Sequence, residues 1–438
     1  MLAQKFKEHL AQHLPELLRG KTIVTVSGGV DSMVLLHLFH SLQLDFAVAH
    51  CNFRLRGTES DLDEKLVESY CRKNEIKYFV SHFETEEYTK EHKVSIQIAA
   101  RKLRYDWFKE LLQQNGHQFI ATAHHLDDQA ETFLINFTRG TGIDGLLGIP
   151  ERNNEIVRPL LPFSRNEILT YANEQKIEWR EDASNATTKY LRNKIRHLVL
   201  PILKEENEQF LKSFQNTVQY LKQTQLLAND ALRIFTKTCV TETQNQTKID
   251  LEKASDFSNN MAYISTFLRG FGFGSQQEIE KLLKTDSGKV LKNENYILLK
   301  NRKELLVEKV LETNESEIYI NSVDDFKKYF DLVELTEINN VSENSDKNTI
   351  FVDCDLLEFP LELRKQKTGD IFQPFGFNRM KKVAKFFKDE KLSLFQKNST
   401  WILENGNKKI IWIVGLRADD RFKITCNTHK IYKLTFKK

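Results

Sequence analysis

Over the first two hundred residues, short apolar runs alternate with amphipathic stretches. Thr22-Ile23-Val24-Thr25-Val26, Phe46-Ala47-Val48-Ala49 and Phe119-Ile120-Ala121-Thr122-Ala123 read as buried strands. The stretches 59–73 and 96–113 space their apolar residues as helices packed on a sheet do. This alternation predicts an α/β domain with a doubly wound parallel sheet, whose ligands sit beyond the carboxyl ends of the strands. From about 205 to 235 the pattern becomes a long polar helix or helix pair, followed by helices and short strands to about 335. Residues 339–348 carry almost no apolar side chain and read as a linker. A small α+β C-terminal domain follows, with 410–414 as a core strand. The expected division is 1–205, a mainly helical middle domain over 206–338, and 349–438.

A chain of 438 residues suits two or three domains of ~150 residues each. No apolar run approaches the ~20 residues a bilayer span requires, so no membrane partner is expected. The first ten residues lack the apolar stretch of a secretory signal, which favours a cytoplasmic reading. The five cysteines are scattered, with no Cys-x-x-Cys spacing for zinc or redox chemistry. A net charge of +3 is too small to steer a polyanion, so a nucleic-acid partner must be held by local clusters.

The sharpest chemistry lies in Ser27-Gly28-Gly29-Val30-Asp31-Ser32, between a strand and the helical start Met33-Val34-Leu35-Leu36. Backbone N–H groups at a helix N-terminus make an anion site, and the glycines let the backbone approach an oxyanion. The GK[ST] ending of a P-loop NTPase is missing. Asp31 beside polyphosphate is repulsive unless a divalent cation lies between them, so Asp31 is the expected Mg²⁺ ligand. A plain capped turn between strand and helix would have the same residues.

Two further strands end at the same sheet edge, in His50-Cys51-Asn52-Phe53-Arg54-Leu55-Arg56-Gly57 and in Thr122-Ala123-His124-His125-Leu126-Asp127-Asp128-Gln129-Ala130-Glu131. Asp128 and Glu131 are three apart on a helix and can face one site, although acidic residues also cap helix N-termini.

The glycine loop resembles that of the PP-loop ATP pyrophosphatase superfamily. The wider set resembles the tRNA(Ile)-lysidine synthetase family within it. It includes Ala100-Arg101-Lys102-Leu103-Arg104-Tyr105, Arg139-Gly140-Thr141-Gly142, Arg158-Pro159-Leu160-Leu161, Asp182-Ala183-Ser184-Asn185 and Arg192-Asn193-Lys194-Ile195-Arg196. Near the other end, Arg364, Gly369 to Gly376, Lys381-Lys382 and Trp412 to Arg417 resemble the family's C-terminal tRNA-binding domain. Phe53 departs from the family's frequent histidine, and Leu392-Ser393 from its Ile-Pro.

The resemblance implies that ATP adenylates the wobble cytidine of an isoleucine tRNA with a CAU anticodon, and that free L-lysine then replaces AMP. It implies catalytic roles for Asp31, His124, Asp128 and Glu131. ATP would be bound by Ser27, Gly28, Gly29, Val30, Asp31, Ser32, His50 and Arg101, with Mg²⁺ on Asp31. The tRNA would be held by Arg192, Arg196, Arg364, Lys381, Lys382 and Arg417. Asp128 and Glu131 could receive lysine's positive charge, contact a second metal, or act as base. The sequence leaves the oligomeric state open, with a homodimer as one option. A tRNA thiolase would need reactive cysteines, a glutamine-dependent synthetase an added amidotransferase domain. An inert tRNA-binding module would not need the three carboxylates.

Overall fold

The structure is a computed structural model that describes residues 1–181, 191–310, 317–335 and 347–437. The Asp182-Ala183-Ser184-Asn185 motif and most of the expected linker lie outside them. Two compact units divide the chain, 1–229 and 230–438.

The first unit is built on strands β1 (Thr22–Thr25), β2 (Phe46–Asn52), β3 (Tyr78–His82), β4 (Phe119–Ala121), β5 (Arg152–Asn153) and β6 (Ile156–Val157), in the order 3-2-1-4-6-5. Every pairing is parallel except β5 with β6. The helices of this unit are α1 (Leu2–His13), α2 (Val30–Ser41), α3 (Thr58–Lys73), α4 (Thr85–His92), α5 (Ile96–Asn115), α6 (Leu126–Thr138), α7 (Ile143–Leu146), α8 (Arg165–Glu174), α9 (Leu191–Lys194) and α10 (Leu200–Glu206), and α11 (Phe210–Cys239) begins in it and ends in the second unit. A π-helical turn, Ile195–Val199, joins α9 to α10.

The continuous apolar character of β1 follows from helices on both faces of the sheet. Val24 packs with Phe6, Met33, Leu35 and Phe39 on one side, while Ile23 packs with Phe108 and Leu111 on the other. Helix α2 is buried on nearly every face because α8 covers the side turned away from the sheet. Strand β3 escapes a reading by apolar runs because it is an edge strand, half exposed along its length.

In the second unit, residues 240–309 add a five-stranded antiparallel sheet to the expected helices, and Phe235 at the end of α11 enters their core. The C-terminal part joins another five-stranded antiparallel sheet to a three-stranded one around fully buried Trp412. Ile410–Ile413 is the core strand expected there. Among the described residues no helix is long and apolar enough to cross a membrane.

Candidate active site at the switch point of the sheet

Strand β1 pairs with β2 on one side and β4 on the other, so the chain leaves it in opposite directions and opens a crevice beyond their carboxyl ends. A cavity of about 690 Å³ lies there. Its wall includes Ser27, Gly29, Asp31 and Ser32 after β1, Phe53 after β2, and His124 and Asp128 after β4.

The glycine loop is closed by its own serines. Ser27 N donates to Ser32 Oγ at 3.1 Å, and Ser32 Oγ donates to Gly29 O at 2.9 Å. Gly28 has φ +92°, and a Cβ there would lie 3.3 Å from Asp63 Cβ, so a side chain is excluded by backbone and space together. Arg180 N donates to Gly28 O at 3.0 Å. Asp63 accepts from Arg180 Nε at 2.7 Å and from Arg56 Nη2 at 2.7 Å. Both arginines border the cavity beside the loop. Sequence reading missed the Asp63–Arg180 clasp, because its members stand 117 positions apart without a motif. Arg56 stood inside the motif after β2.

Asp31 Oδ1 is buried without a hydrogen-bond partner. Its other oxygen lies 3.6 Å from His125 Nε2, which is also 3.4 Å from Asp128 Oδ2. Burial disfavours the His125 imidazolium, but Asp128, Asp31 and Asp127 outweigh it and raise the pKa above the usual histidine value. His124 behaves oppositely. Burial pulls it down to about 4, so it is neutral at pH 7 and shares a 2.9 Å hydrogen bond with Thr122 Oγ1. The histidine that meets the carboxylates is therefore His125. Its place just before α6, where the chain turns inward, was the available signal.

Asp128 accepts from His125 N at 3.1 Å, which caps α6. Burial pushes its pKa up, and His125, His124 and Arg196 more than reverse this and hold it below the usual carboxylate value. Glu131, 1% exposed, is pushed up by burial despite Arg196. Arg196 Nε donates to Glu131 Oε1 at 2.5 Å, and Nη2 donates to Asp128 Oδ1 at 2.9 Å. Arg192 Nε lies 3.4 Å from Glu131 and Nη2 donates to Thr132 Oγ1 at 2.6 Å. The structure thus turns Arg196, expected as a tRNA contact, onto both members of the acidic pair, because a buried carboxylate requires a partner, while Arg192, 46% exposed, touches only Glu131 of the two.

Other expected residues lie elsewhere. His50 is buried and donates from Nδ1 to Val26 O at 2.8 Å, which ties β2 to the root of the glycine loop and keeps it off the cavity wall. Arg101 is exposed over the Tyr105 ring, and it is Arg104, near the Phe53 ring, that reaches the cavity. Arg364 is 3% exposed and fully engaged by Asp370, Glu404 and Lys365 O, so it holds the C-terminal domain together and offers no surface for tRNA. Lys381 pairs with Asp389 at 2.8 Å, while Lys382 and Arg417 are exposed.

Among the described residues no group of three or more His, Cys, Asp or Glu is prearranged for a metal. The donor set fits a divalent cation that takes one or two carboxylates from protein and the rest from substrate phosphate, as Mg²⁺ commonly does. The unpartnered Asp31 Oδ1 is the atom available for it.

Comparison with known proteins agrees with this geometry. Residues 2–203 match the PP-loop domain, 242–310 the TilS substrate binding domain, and 361–434 the TilS substrate C-terminal domain. The chain is 35% identical over 435 residues to the tRNA(Ile)-lysidine synthase of Bacteroides thetaiotaomicron, covering 98% of this chain and 97% of that protein. It is 34% identical over 422 residues to that of Parabacteroides distasonis, covering 94% and 95%. With that identity carried across nearly the whole length of both proteins, the chain belongs to the tRNA(Ile)-lysidine synthase family.

Proposed function

We propose that this protein is an ATP-dependent, cytoplasmic ligase that converts the wobble cytidine of an isoleucine tRNA with a CAU anticodon to lysidine, shifting its reading from AUG to AUA. The observation that carries the site assignment is Asp31. A buried carboxylate oxygen without a partner sits beside the glycine loop, and the other oxygen of the same carboxylate lies 3.6 Å from His125, which also meets Asp128.

Carbon 2 of cytosine is a poor electrophile with a poor leaving group. Its 2-oxo oxygen therefore attacks the α-phosphate of ATP, the bond to pyrophosphate breaks, and adenylate is left on the oxygen. An amine of lysine then adds at carbon 2, loses a proton, and displaces AMP. The N–H groups of the loop from Ser27 to Ser32 bind the leaving pyrophosphate, with Arg56, Arg180 and Arg104 on the surrounding wall for its charge. Mg²⁺ held by Asp31 would supply charge neutralisation at the phosphates. His125 keeps Asp31 and Asp128 positioned, and neutral His124 can accept or donate one hydrogen bond to nucleotide. An arriving lysine ammonium competes with the Arg196 guanidinium for Asp128 and Glu131, which makes that ion pair the expected point of exchange. The domains over 206–338 and 349–438 hold the tRNA.

A sulfur-transfer reading finds no ready thiolate among the described residues of the cavity wall. Cys51, which borders the cavity, has its thiol pushed up to about 12 by burial, and so does Cys71. The test is ATP-dependent incorporation of labelled lysine into the CAU isoleucine tRNA. Wild type is expected to incorporate lysine with release of AMP and pyrophosphate. Adenylation of the tRNA without lysine transfer would refute the reading.

A further inference from the structure

The loop between Phe372 and Lys381 in the C-terminal domain shows two aromatic side chains to solvent, Phe375 at 50% and Phe377 at 56% exposure. Exposed apolar side chains grouped on one loop mark an interaction site more often than scattered ones do. The loop beneath them is firmly anchored. Phe375 N donates to Ala418 O at 2.9 Å, and Phe377 N donates to Pro374 O at 2.9 Å. Buried Asp419 accepts from Gln373 N at 2.9 Å, and Asp420 accepts from Gly376 N at 3.0 Å. Gly376, at φ +85°, makes the bend that puts both rings on the outside. The rings are therefore displayed by a prearranged support.

The surroundings are cationic. Arg417, itself exposed, lies with its guanidinium 5.9 Å from the Phe377 ring centre. Between 379 and 391 six lysines and arginines face two carboxylates. Of these, Lys381 is paired with Asp389, while Arg379, two residues beyond Phe377 in the chain, and Lys382 are exposed. Phe386 and Phe387, by contrast, are buried and hold the helix Val383–Asp389 to the core.

Rigid exposed rings among cations fit a strand whose bases are free to stack and whose phosphates need counter-charge. A duplex would use the cations and leave the rings idle. We propose that Phe375 and Phe377, with Arg417 and Arg379, form a stacking platform for unpaired nucleotides of the RNA substrate. This rests on the proposed tRNA-modifying function and adds that the C-terminal domain reads single-stranded RNA there.

The test measures binding of a 12-nucleotide unstructured RNA and of a 12-base-pair RNA duplex to the full-length protein. Phe377→Leu keeps an apolar side chain without a stacking face, and Phe377→Trp enlarges that face. The expected result is single-strand affinity lowered on the order of 10-fold by Phe377→Leu, retained or improved by Phe377→Trp, with duplex affinity unchanged by either. The double variant Phe375→Leu with Phe377→Leu should lower single-strand affinity further and raise KM for tRNA. Equal loss for single strand and duplex, or equal behaviour of the Leu and Trp variants, would overturn the platform. So would unchanged single-strand binding in the double variant. Because these outcomes are read from RNA binding, they stand apart from lysine incorporation by the wild-type protein, on which the proposed function depends.

Discussion

Arg196 in the first unit and Arg364 in the second each sit between two carboxylates, and the sequence offers both as cations for tRNA. Around Arg364 all five N–H donors are used: two on Asp370, two on Glu404, one on Lys365 O. The side chains are 4%, 10% and 6% exposed, so the cluster is closed to solvent and substrate. Around Arg196 the same chemistry is left open. Its side chain is 20% exposed on the wall of the cavity, Glu131 is held above its usual pKa, and the nearby Asp31 keeps an oxygen with no partner. A saturated buried cluster fixes a fold, whereas an incompletely neutralised one can exchange partners with a charged ligand.

The largest effect expected of this contrast is at Asp31. Asp31→Asn should lower lysine incorporation by at least about 100-fold, the scale of losing one electrostatic contact to a transition state. Its urea unfolding midpoint should fall less than that of Arg364→Met, because Oδ1 has no hydrogen bond to lose and only the 3.6 Å contact of the other oxygen with His125 is weakened. An equal fall in stability would mean that Asp31 belongs with the saturated clusters.

Arg364→Met should do the reverse. Removing one partner of a sealed ion cluster costs about 3 to 5 kcal/mol, read by denaturant unfolding. Arg364→Lys should recover little of it, since an ammonium cannot reproduce the paired forks to Asp370 and Glu404. A surface-like cost would break the comparison from its other side.

Arg196→Ala should fall between these, lowering both stability and lysine incorporation. Its stability cost should be smaller than that of Arg364→Met, because the Arg196 side chain is 20% exposed on the cavity and its removal lets water reach the carboxylates it leaves. The KM for lysine is the sharper readout. If Arg196 and the lysine ammonium compete for Asp128 and Glu131, Arg196→Ala lowers that KM while it lowers kcat. A KM that rises would argue that the arginine belongs to the binding site and does not exchange.

The smallest effect is expected at Lys382. An exposed cation supplies one counter-charge, so Lys382→Ala should weaken tRNA binding only a few-fold and flatten its salt dependence by about one unit of slope. An effect as large as that of Arg364→Met would show a structural role that its exposure denies.

How far the sequence carries is visible in these same residues. Strand β1 and the glycine loop were legible because the fold there is local: a doubly covered strand must be continuously apolar, and a phosphate loop must have glycine where φ is positive. The helices over 58–73 and 96–115 followed from periodicity for the same reason. Strand β3 was hidden because a half-exposed edge needs no strong pattern. The placement of Asp31, Asp128 and Glu131 near one edge followed from the rule that parallel strands end together.

By itself, the sequence determined the order of elements, the anion loop, and the family to which its motifs point. Tertiary structure alone decided which charges are spent. Arg196 and Arg364 look alike in the chain, as do His124 and His125, but each ionic side chain is free or committed according to what long-range folding brings within about 3 Å and how much water it leaves. Such partners can stand more than a hundred positions apart, 117 in the Asp63–Arg180 clasp behind Gly28 and 162 for Lys5 and Glu167, and no local pattern encodes them.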